Sequence, residues 1–467
     1  MQIPILNGIY TTEESDYRIK YPRNLMPVPV PQGISNGYLR PSYGILEWGS
    51  ATPGVTLGGI SWNDVCYRVC GTKLCSIASD GTVTTIADIG STTQASLDYS
   101  FDYLGVVADE KFFLYDGITL TQVTDPDLGL PIDFIWVDGY FMLTDGENLI
   151  VTELNDPFSI LLTKYGSSEV DPDPIKAVLK TPSNEPAAIN RFTIEFFDNI
   201  GGSGFPFQRI DGAQITRGSI GTHTCCMFLD AIAFVGSGRN EAPAIWLGVN
   251  GGSTRISNRE IDKLLKEYTE TELANSMLEA QVNEGHQLLY LHLKDKTMVY
   301  DAAASAVVQT PVWFELGTGL TEGKYQAKDL VWCYNKWLIG HTNDFSHGYL
   351  TEAVSSQWGE EIGWEFNTLI VYNEGLGAII HELELVGLPG RAILGDNPTI
   401  STSYSLDGET WSQERFISAG KQGQRNKRLA WLQQAGFRNW RIQKFKGTSN
   451  AHCSFARLEA QIEPLVD

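Results

Sequence analysis

Three closely spaced cysteines are the densest group of thiol side chains in this sequence, and thiol side chains can bind a metal ion. Cys66, Cys70 and Cys75 lie within ten residues, the first two on one face of a predicted strand and the third beyond a turn. A structural zinc site needs four ligands, commonly in closely spaced Cys or His pairs, whereas these thiols have no neighbouring histidine and the sequence has no C-x-x-C pair. We therefore predict buried structural thiols that bind no metal or other cofactor.

Other signatures of catalysis are weak. The seven histidines are scattered, without the spacing of a metal-binding pair or a catalytic triad, and the sequence contains neither a G-x-S-x-G motif nor a P-loop. The glycine-rich stretch 201–204 lacks the lysine, the hydroxyl residue and the helix that follow a phosphate-binding loop. This pattern predicts a protein that is not an enzyme.

One motif keeps an enzymatic alternative open. Residues 405–411 resemble the Asp-box of sialidase-type propellers, S-x-D-x-G-x-T-W, with one residue fewer between the Asp and the Gly; Asp407 would fix a hairpin turn and Trp411 would pack beneath it. A sialidase also needs an arginine cluster for the substrate carboxylate and a tyrosine nucleophile with an acidic partner. We expect structural roles for Asp407 and Trp411, and a propeller-type glycosidase and a generic propeller binding module remain the alternatives.

Charge is distributed unevenly along the 467 residues. The net charge is −22, yet ten Lys or Arg and no Asp or Glu lie between Arg415 and Arg457. The rest of the chain is strongly acidic and repels nucleic acid. We therefore predict that the basic run docks on an acidic protein surface, such as that of a like subunit. A patch that grips DNA and an ordinary solvated face are the less favoured alternatives. The candidate docking residues are Lys421, Arg425, Lys427, Arg428, Arg438, Arg441, Lys444 and Lys446.

The length and the hydrophobic pattern of the chain limit the classes of protein to which it can belong. A chain of 467 residues is expected to form two or three domains, or one large repeat architecture. No apolar run approaches the ~20 residues of a membrane helix, and the N-terminus shows no signal-peptide pattern. The irregular cysteine spacing favours a reducing compartment.

Short alternating strands separated by Asp-Gly turns recur from about residue 45. The aspartates of these turns stand at positions 80, 116, 138 and 145, and Asp-Gly between alternating runs indicates a hairpin with a type I′ turn. The units repeat about every 40 residues, which is the spacing of propeller blades. We predict a mainly β fold with a β-propeller-like domain over 46–360 and a C-terminal β module, carrying the basic run, over 361–467.

The first 45 residues are expected to form an extended arm. Pro22, Pro27, Pro29 and Pro31 rule out a regular helix and discourage a central strand. Leu25 and several tyrosines give this arm the apolar anchors that a disordered leader would not need.

A helical hairpin over residues 257–277 interrupts the β pattern. Ser257 and Glu260 have the spacing of a capping box, and so do Thr269 and Glu272. Apolar residues recur at helical spacing after the first box. We therefore predict Ser257 and Thr269 as the N-caps of two short helices.

Several segments together resemble one protein family, the packaged-DNA stabilisation proteins of short-tailed bacteriophages, also described as tail accessory factors or tail hubs. The likeness runs in the same order through most of the chain. Its most specific part is the helical block with the hairpin that follows it. The segments that carry it are 23–27, 37–45, 65–74, 194–197, 218–222, 261–277, 286–293 and 299–302.

The resemblance implies a structural virion protein rather than an enzyme. Such a subunit would form a hexameric ring, assembled in the host cytoplasm, below the portal and its adaptor. The ring would continue the DNA channel, retain the packaged genome and dock a tail needle or plug and the tailspikes. An acidic channel wall suits this role, because repulsion of the phosphates lets duplex DNA slide without specific binding. The region 201–204 and the tract 359–395 have no clear counterpart in the family.

Overall fold

The computed structural model describes residues 1–12, 16–30 and 35–465, and these are folded mainly into short antiparallel strands. The mainly β fold class is thereby confirmed. Six strands precede the repeated part: β1 (Gln2–Ile3), β2 (Gly8–Thr12), β3 (Asp16–Lys20), β4 (Leu25–Pro29), β5 (Gly37–Pro41) and β6 (Gly44–Glu47).

Seven antiparallel sheets then follow one another in chain order within the described residues. The first three contain β7 (Thr56–Trp62), β8 (Val65–Cys70), β9 (Lys73–Ile77), β10 (Val83–Asp88), β11 (Ser96–Tyr99), β12 (Leu104–Ala108), β13 (Lys111–Tyr115), β14 (Leu120–Gln122), β15 (Asp133–Val137), β16 (Tyr140–Thr144), β17 (Leu149–Glu153) and β18 (Asp156–Gly166). The fourth and fifth contain β19 (Ile175–Lys180), β20 (Pro186–Asn190), β21 (Ile194–Asn199), β22 (Phe207–Arg209), β23 (Gly218–Ser219), β24 (Cys225–Phe228), β25 (Ala231–Ser237), β26 (Ala244–Val249) and β27 (Gly252–Arg255). The last two contain β28 (Met277–Asn283), β29 (His286–His292), β30 (Thr297–Asp301), β31 (Val312–Leu316), β32 (Ala327–Cys333), β33 (Lys336–His341) and β34 (His347–Thr351).

The seven sheets close into a propeller. Strands β7, β11, β15, β19, β24, β28 and β32 each contact the next in this series, and β32 contacts β7. The seventh blade takes its outermost strand from the start of the chain, since β6 pairs with β34 and Gly44 lies opposite Thr351. Backbone hydrogen bonds between the two ends of the repeat therefore hold the ring shut.

The predicted Asp-Gly turns form hairpins of two kinds. Asp138 and Gly139 both have positive φ angles, 51° and 88°, as a type I′ turn requires. At Asp80 and Asp116, only the following glycine has a positive φ. There the aspartate accepts backbone N–H groups instead, from Thr82 at 2.9 Å in the first case, so a side-chain turn replaces the I′ geometry.

Two short helices connect the fifth and sixth blades, α1 (Arg259–Lys266) and α2 (Glu270–Ala274), and a third, α3 (Ala302–Val308), follows β30. None of these helices, in the part of the chain described, is long and apolar enough to cross a membrane. The hairpin ends earlier than the expected residue 277, because Met277 already begins β28.

The first helix cap lies one residue later than predicted. Asn258 is the N-cap of α1, and its Oδ1 accepts the N–H of Ile261 at 3.2 Å. The hydroxyl of Ser257 donates instead to Asp262 at 2.7 Å, so the predicted capping box with Glu260 was wrong. At the second helix, Thr269 and Glu272 form a reciprocal capping box.

The C-terminal part is a β-sandwich with nine strands of its own: β35 (Gly363–Asn367), β36 (Val371–Tyr372), β37 (Ala378–Gly387), β38 (Thr399–Ser405), β39 (Arg415–Ser418), β40 (Ala430–Leu432), β41 (Gly436–Phe437), β42 (Trp440–Thr448) and β43 (Phe455–Pro464). One sheet has the order β4-β5-β43-β37-β40, with β1 also on β43 and β41 also on β37, and the other has the order β35-β42-β38-β39, with β36 also on β42. Aromatic side chains from both sheets, including Trp364, Trp431 and Phe445, form the core between them.

The first strands of the chain tie the sandwich to the propeller. Pro27 and Pro29 lie in β4, an edge strand, where a missing N–H costs no ladder bond; Pro31 lies outside the described residues. The backbone of Arg23 donates to Glu365 of the sandwich at 2.9 Å, and that of Asn24 donates to Glu315 of blade six at 2.8 Å. The hydroxyl of Ser355, just after β34 of blade seven, contacts Nδ1 of His452 in the sandwich. The sandwich is therefore held beside blades six and seven.

Candidate functional site

The eight basic residues predicted as a docking set do not share one environment. Arg441 has no exposed surface. Its guanidinium donates to Gln443 Oε1 from Nε at 3.0 Å and from Nη2 at 2.9 Å, and its Cζ lies 3.9 Å from the ring centre of Tyr404. Burial lowers the pKa of Arg441 to about 10. The docking prediction was wrong for Arg441, because a fully buried side chain cannot contact a partner.

Three further cations, Arg428, Lys444 and Lys446, are paired with carboxylates of the same chain. Arg428 donates from Nε to Glu384 at 2.8 Å and from Nη2 to Glu382 at 2.6 Å, and Glu384 raises the pKa of this arginine. Lys446 donates to Glu414 at 3.3 Å. These contacts match the alternative in which the basic run is an ordinary solvated face, with counter-charges that belong to the same chain.

Four cations remain without an ion pair. No carboxylate of the described residues lies within 4.0 Å of Lys421, Arg425, Lys427 or Arg438. The first three lie in the connection between β39 and β40, and Arg438 lies in the turn before β42 at the other end of the sandwich. The structure therefore brings three of the eight predicted residues together on one exposed loop.

The Asp-box forms the hairpin between β38 and β39. Ser405 Oγ donates to Asp407 Oδ1 at 2.8 Å, and the N–H of Thr410 donates to the same oxygen at 2.8 Å. Hydrogen bonds from the Thr410 and Ser405 side chains hold the pKa of Asp407 well below its usual range. Lys444 Nζ lies 3.6 Å from the ring centre of Trp411. A carboxylate whose bonds all go to its own turn holds a hairpin and is not available as an acid or base.

A cavity of 950 Å³ lies between the Asp-box, the β2–β3 hairpin and α1. Cations and carboxylates of the cavity lining pair with one another: Lys20 lies 3.2 Å from Glu322, and Glu365 lies 3.9 Å from both Lys20 and Lys444. The hydroxyl of Thr11, on β2, donates to the carbonyl of Asp407. This paired lining stabilises the junction between the two domains.

A buried polar cluster on the propeller axis was not apparent from the sequence. The carboxylate of Asp329 accepts from Thr56 Oγ1 at 2.6 Å and from Gln94 Nε2 at 2.7 Å. Burial opposes ionisation, but Lys328 and the Thr56 hydroxyl hold the pKa of Asp329 below its usual value. Because Thr56 lies in the first blade and Asp329 in the last, the cluster joins the two ends of the ring, and no short sequence spacing indicates it.

The cysteine cluster lies in the first blade. Cys66, Cys70 and Cys75 are free thiols and buried, and burial raises the pKa of Cys66 to about 11. Across the described ranges, no group of three or more His, Cys, Asp or Glu side chains is placed to hold a metal ion. The thiols contribute to the packing between the first and seventh blades, where Cys66 lies in one core cluster with Cys333.

Two family models match the chain, one for each part of the fold. The model described as "Bacteriophage P22 Gp10, beta-propeller" matches residues 1–355, and the one described as "Bacteriophage P22 Gp10, beta-sandwich" matches residues 363–463. A curated relative, the tail hub protein gp10 of Salmonella phage P22, is 25% identical over 452 residues, which are 92% of each chain.

Solved structures resemble the chain in fold alone. A virginiamycin B lyase from Staphylococcus aureus matches 66% of this chain and 99% of its own, with a TM-score of 0.46 and 10% identity. The Pan2 WD40 domain of Neurospora crassa matches 66% of this chain and 95% of its own, with a TM-score of 0.42 and 6% identity.

Proposed function

Because the chain belongs to the phage P22 Gp10 family, a family of phage tail hub proteins, we propose that it forms a ring below the portal and its adaptor. The match of both domains to this family carries the proposal. The chain is a structural protein of the phage tail, and its place is the virion. The finer assignment is a hexameric hub that continues the DNA channel, retains the packaged genome and docks a needle or plug and the tailspikes.

The DNA channel would run between copies of the chain and not through a propeller. The propeller axis is occupied by side chains that include Gln94, Glu279 and Asp329, around a cavity of only 200 Å³. A duplex cannot pass through such a space, so the channel must lie on the axis of the ring. The net charge of −22 supports a wall that repels phosphates and lets DNA slide.

The working domain boundaries are 46–360 for the propeller and 361–467 for the sandwich, with residues 1–45 contributing strands to both. The seven free thiols suit assembly in the reducing host cytoplasm. The Asp-box supports a structural role and not a glycosidase, because it lies in the sandwich and contacts β2 at the domain junction.

Mass measurement with and without the portal–adaptor complex tests the proposal. The purified chain should join that complex in a stoichiometric ring, visible as a closed annulus by electron microscopy. A chain that stays monomeric beside a competent adaptor, and that releases sugar from glycoside substrates, would instead support the glycosidase alternative. A chain that stays monomeric without such activity would leave the generic binding module.

A further inference from the structure

The charge of the chain is segregated between opposite parts of the fold. The sandwich, residues 363–463, carries 11 basic and 10 acidic side chains, against 23 and 46 in the rest of the chain. Within the propeller, the segment 96–173, which contains blades two and three, has 16 acidic and only two basic side chains. A nearly neutral domain with an unpaired basic loop is thus joined to a strongly acidic body.

One end of the sandwich combines unpaired cations with exposed apolar side chains. Two loops meet there, 388–398 and 419–429, and Gly423 N–H donates to the carbonyl of Gly390 at 3.1 Å between them. Ile393 and Leu394 are 67% and 83% exposed. This surface, called the sandwich end below, consists of Leu388, Ile393, Leu394, Lys421, Arg425 and Lys427.

A second surface has the opposite charge and the same apolar character. Turns between the first and second strands, and between the third and fourth, all emerge on one face of a propeller because successive strands alternate in direction. In blades two to four these turns expose large apolar side chains, and Phe101 and Ile118 are each 85% exposed. This surface, called the acidic turns below, consists of Phe101, Asp102, Ile118, Leu154, Asp156 and Ile200.

Contacts hold the acidic turns together as one surface. Phe101 packs edge-on against Trp136 of the next blade, with ring centres 5.7 Å apart. In the turn of blade three, Asp138 accepts a hydrogen bond of 3.0 Å from the side chain of Asn199. Asn199 is the last residue of β21 in blade four, and Ile200 follows it. Neither Asp102 nor Asp156 has a cation within 4.0 Å among the described residues.

The two surfaces lie at the same level of the molecule but at opposite ends. Leu388 of the sandwich end borders a cavity of 610 Å³ together with Glu352. Glu352 follows β34 on the face of the propeller that carries the acidic turns. Blade three is three blades away from blade six and from blade seven, where the sandwich is attached. The surfaces therefore cannot meet within one chain.

We propose that the sandwich end of one copy docks on the acidic turns of a second copy. The contact is heterologous, so each copy offers one sandwich end and one set of acidic turns, and repetition about an axis closes a ring. Apolar side chains form its centre, and opposite charges at its rim steer association and set the register. This inference rests on the proposed function and names the surfaces that build its ring.

Charge reversal on each side, separately and together, tests the contact. The sandwich variant is Arg425→Glu with Lys427→Glu, and the propeller variant is Asp102→Lys with Asp156→Lys. Each alone should raise the concentration of half-assembly at least tenfold at low salt, and the four changes in one chain should restore assembly to within about threefold of wild type. Circular dichroism should show that every variant stays folded.

Matched controls separate the contact from general charge effects. Against the single reversals Arg425→Glu and Asp102→Lys, Arg438→Glu makes the same charge change at the other end of the sandwich, and Glu147→Lys makes it on the opposite face of blade three, where residue 147 lies between β16 and β17. Both should assemble as wild type. If the one-sided variants assemble normally, or if combining them restores nothing, the two surfaces do not meet. A wild-type chain that forms no ring with the adaptor would reject the proposed function itself.

Discussion

Loss of the Asn258 side chain should weaken the joint between the N-terminal segment and α1. Asn258 Oδ1 caps the helix through the N–H of Ile261 and also accepts the hydroxyl of Tyr21 at 2.7 Å. Loss of an N-cap costs about 1 kcal/mol, and a half-buried hydroxyl left without a partner costs about 1–3 kcal/mol. Asn258→Ala should therefore lower the free energy of unfolding by about 3 kcal/mol.

That free energy converts to a modest shift in melting temperature. The unfolding entropy of a cooperative unit of 355 residues is about 0.75 kcal/mol/K, from about 2.1 cal/mol/K per residue. Asn258→Ala should therefore lower Tm by about 4 °C by differential scanning calorimetry. Asn258→Asp should change Tm by less than about 1 °C, because a carboxylate keeps both acceptor roles.

A double-mutant cycle with Tyr21→Phe isolates the second bond. Once the Tyr21 hydroxyl is absent, Asn258→Ala should cost only the ~1 kcal/mol of the cap. Equal costs of Asn258→Ala in the wild-type and Tyr21→Phe backgrounds would refute the shared role of Asn258. Ser257→Ala should show no coupling to Tyr21→Phe, because Ser257 donates to Asp262 and not to the arm.

Three further predictions concern buried or strained positions. Burial raises the pKa of Asp133 to about 7 from 3.8, so the stability associated with this group is present below about pH 4 and is lost as pH rises through 7. In thermal unfolding scans, Asp133→Asn should therefore be more stable than wild type at pH 8, by about 4 kcal/mol at most, and equal to it at pH 3.5. Gly408 has a φ of +84°, and a Cβ there would lie 2.2 Å from Thr11 Oγ1, so Gly408→Ala should loosen the β2–β3 hairpin, seen as faster hydrogen exchange in residues 8–20, whereas Gly423→Ala, in an open loop, should leave that exchange unchanged. Arg441→Ala should destabilise the sandwich by about 3 kcal/mol, seen as a lower Tm, and an unchanged Tm would contradict its buried role.

Local patterns in the sequence predicted the repeated unit and its turns. Alternating runs separated by Asp-Gly indicated hairpins, because a turn and its two strands lie within a few residues of each other in the chain. The regular recurrence of these hairpins about every 40 residues then indicated blades. Cap prediction missed by one residue at Ser257, since Ser and Asn are both good N-caps and the choice depends on Asp262, which is recruited only when α1 forms.

Features that join distant parts of the chain were not predictable in this way. Ring closure by β6 pairs residues 44–47 with residues 348–351, and nothing in either strand specifies the other. The basic run indicated a charged surface, yet Arg441 is buried on Tyr404 and Gln443, and only the packing of the two sheets shows which cations remain free. The acidic turns come from three blades, so their grouping exists only in the folded propeller.

Electron cryomicroscopy of the tail in intact virions tests the central claim most directly. The account predicts that this chain forms a closed ring immediately below the portal adaptor, with the DNA channel on the ring axis and each sandwich end against blades two to four of the neighbouring copy. Density that places the chain in a peripheral fibre or spike, with no ring of it around the channel, would contradict the account.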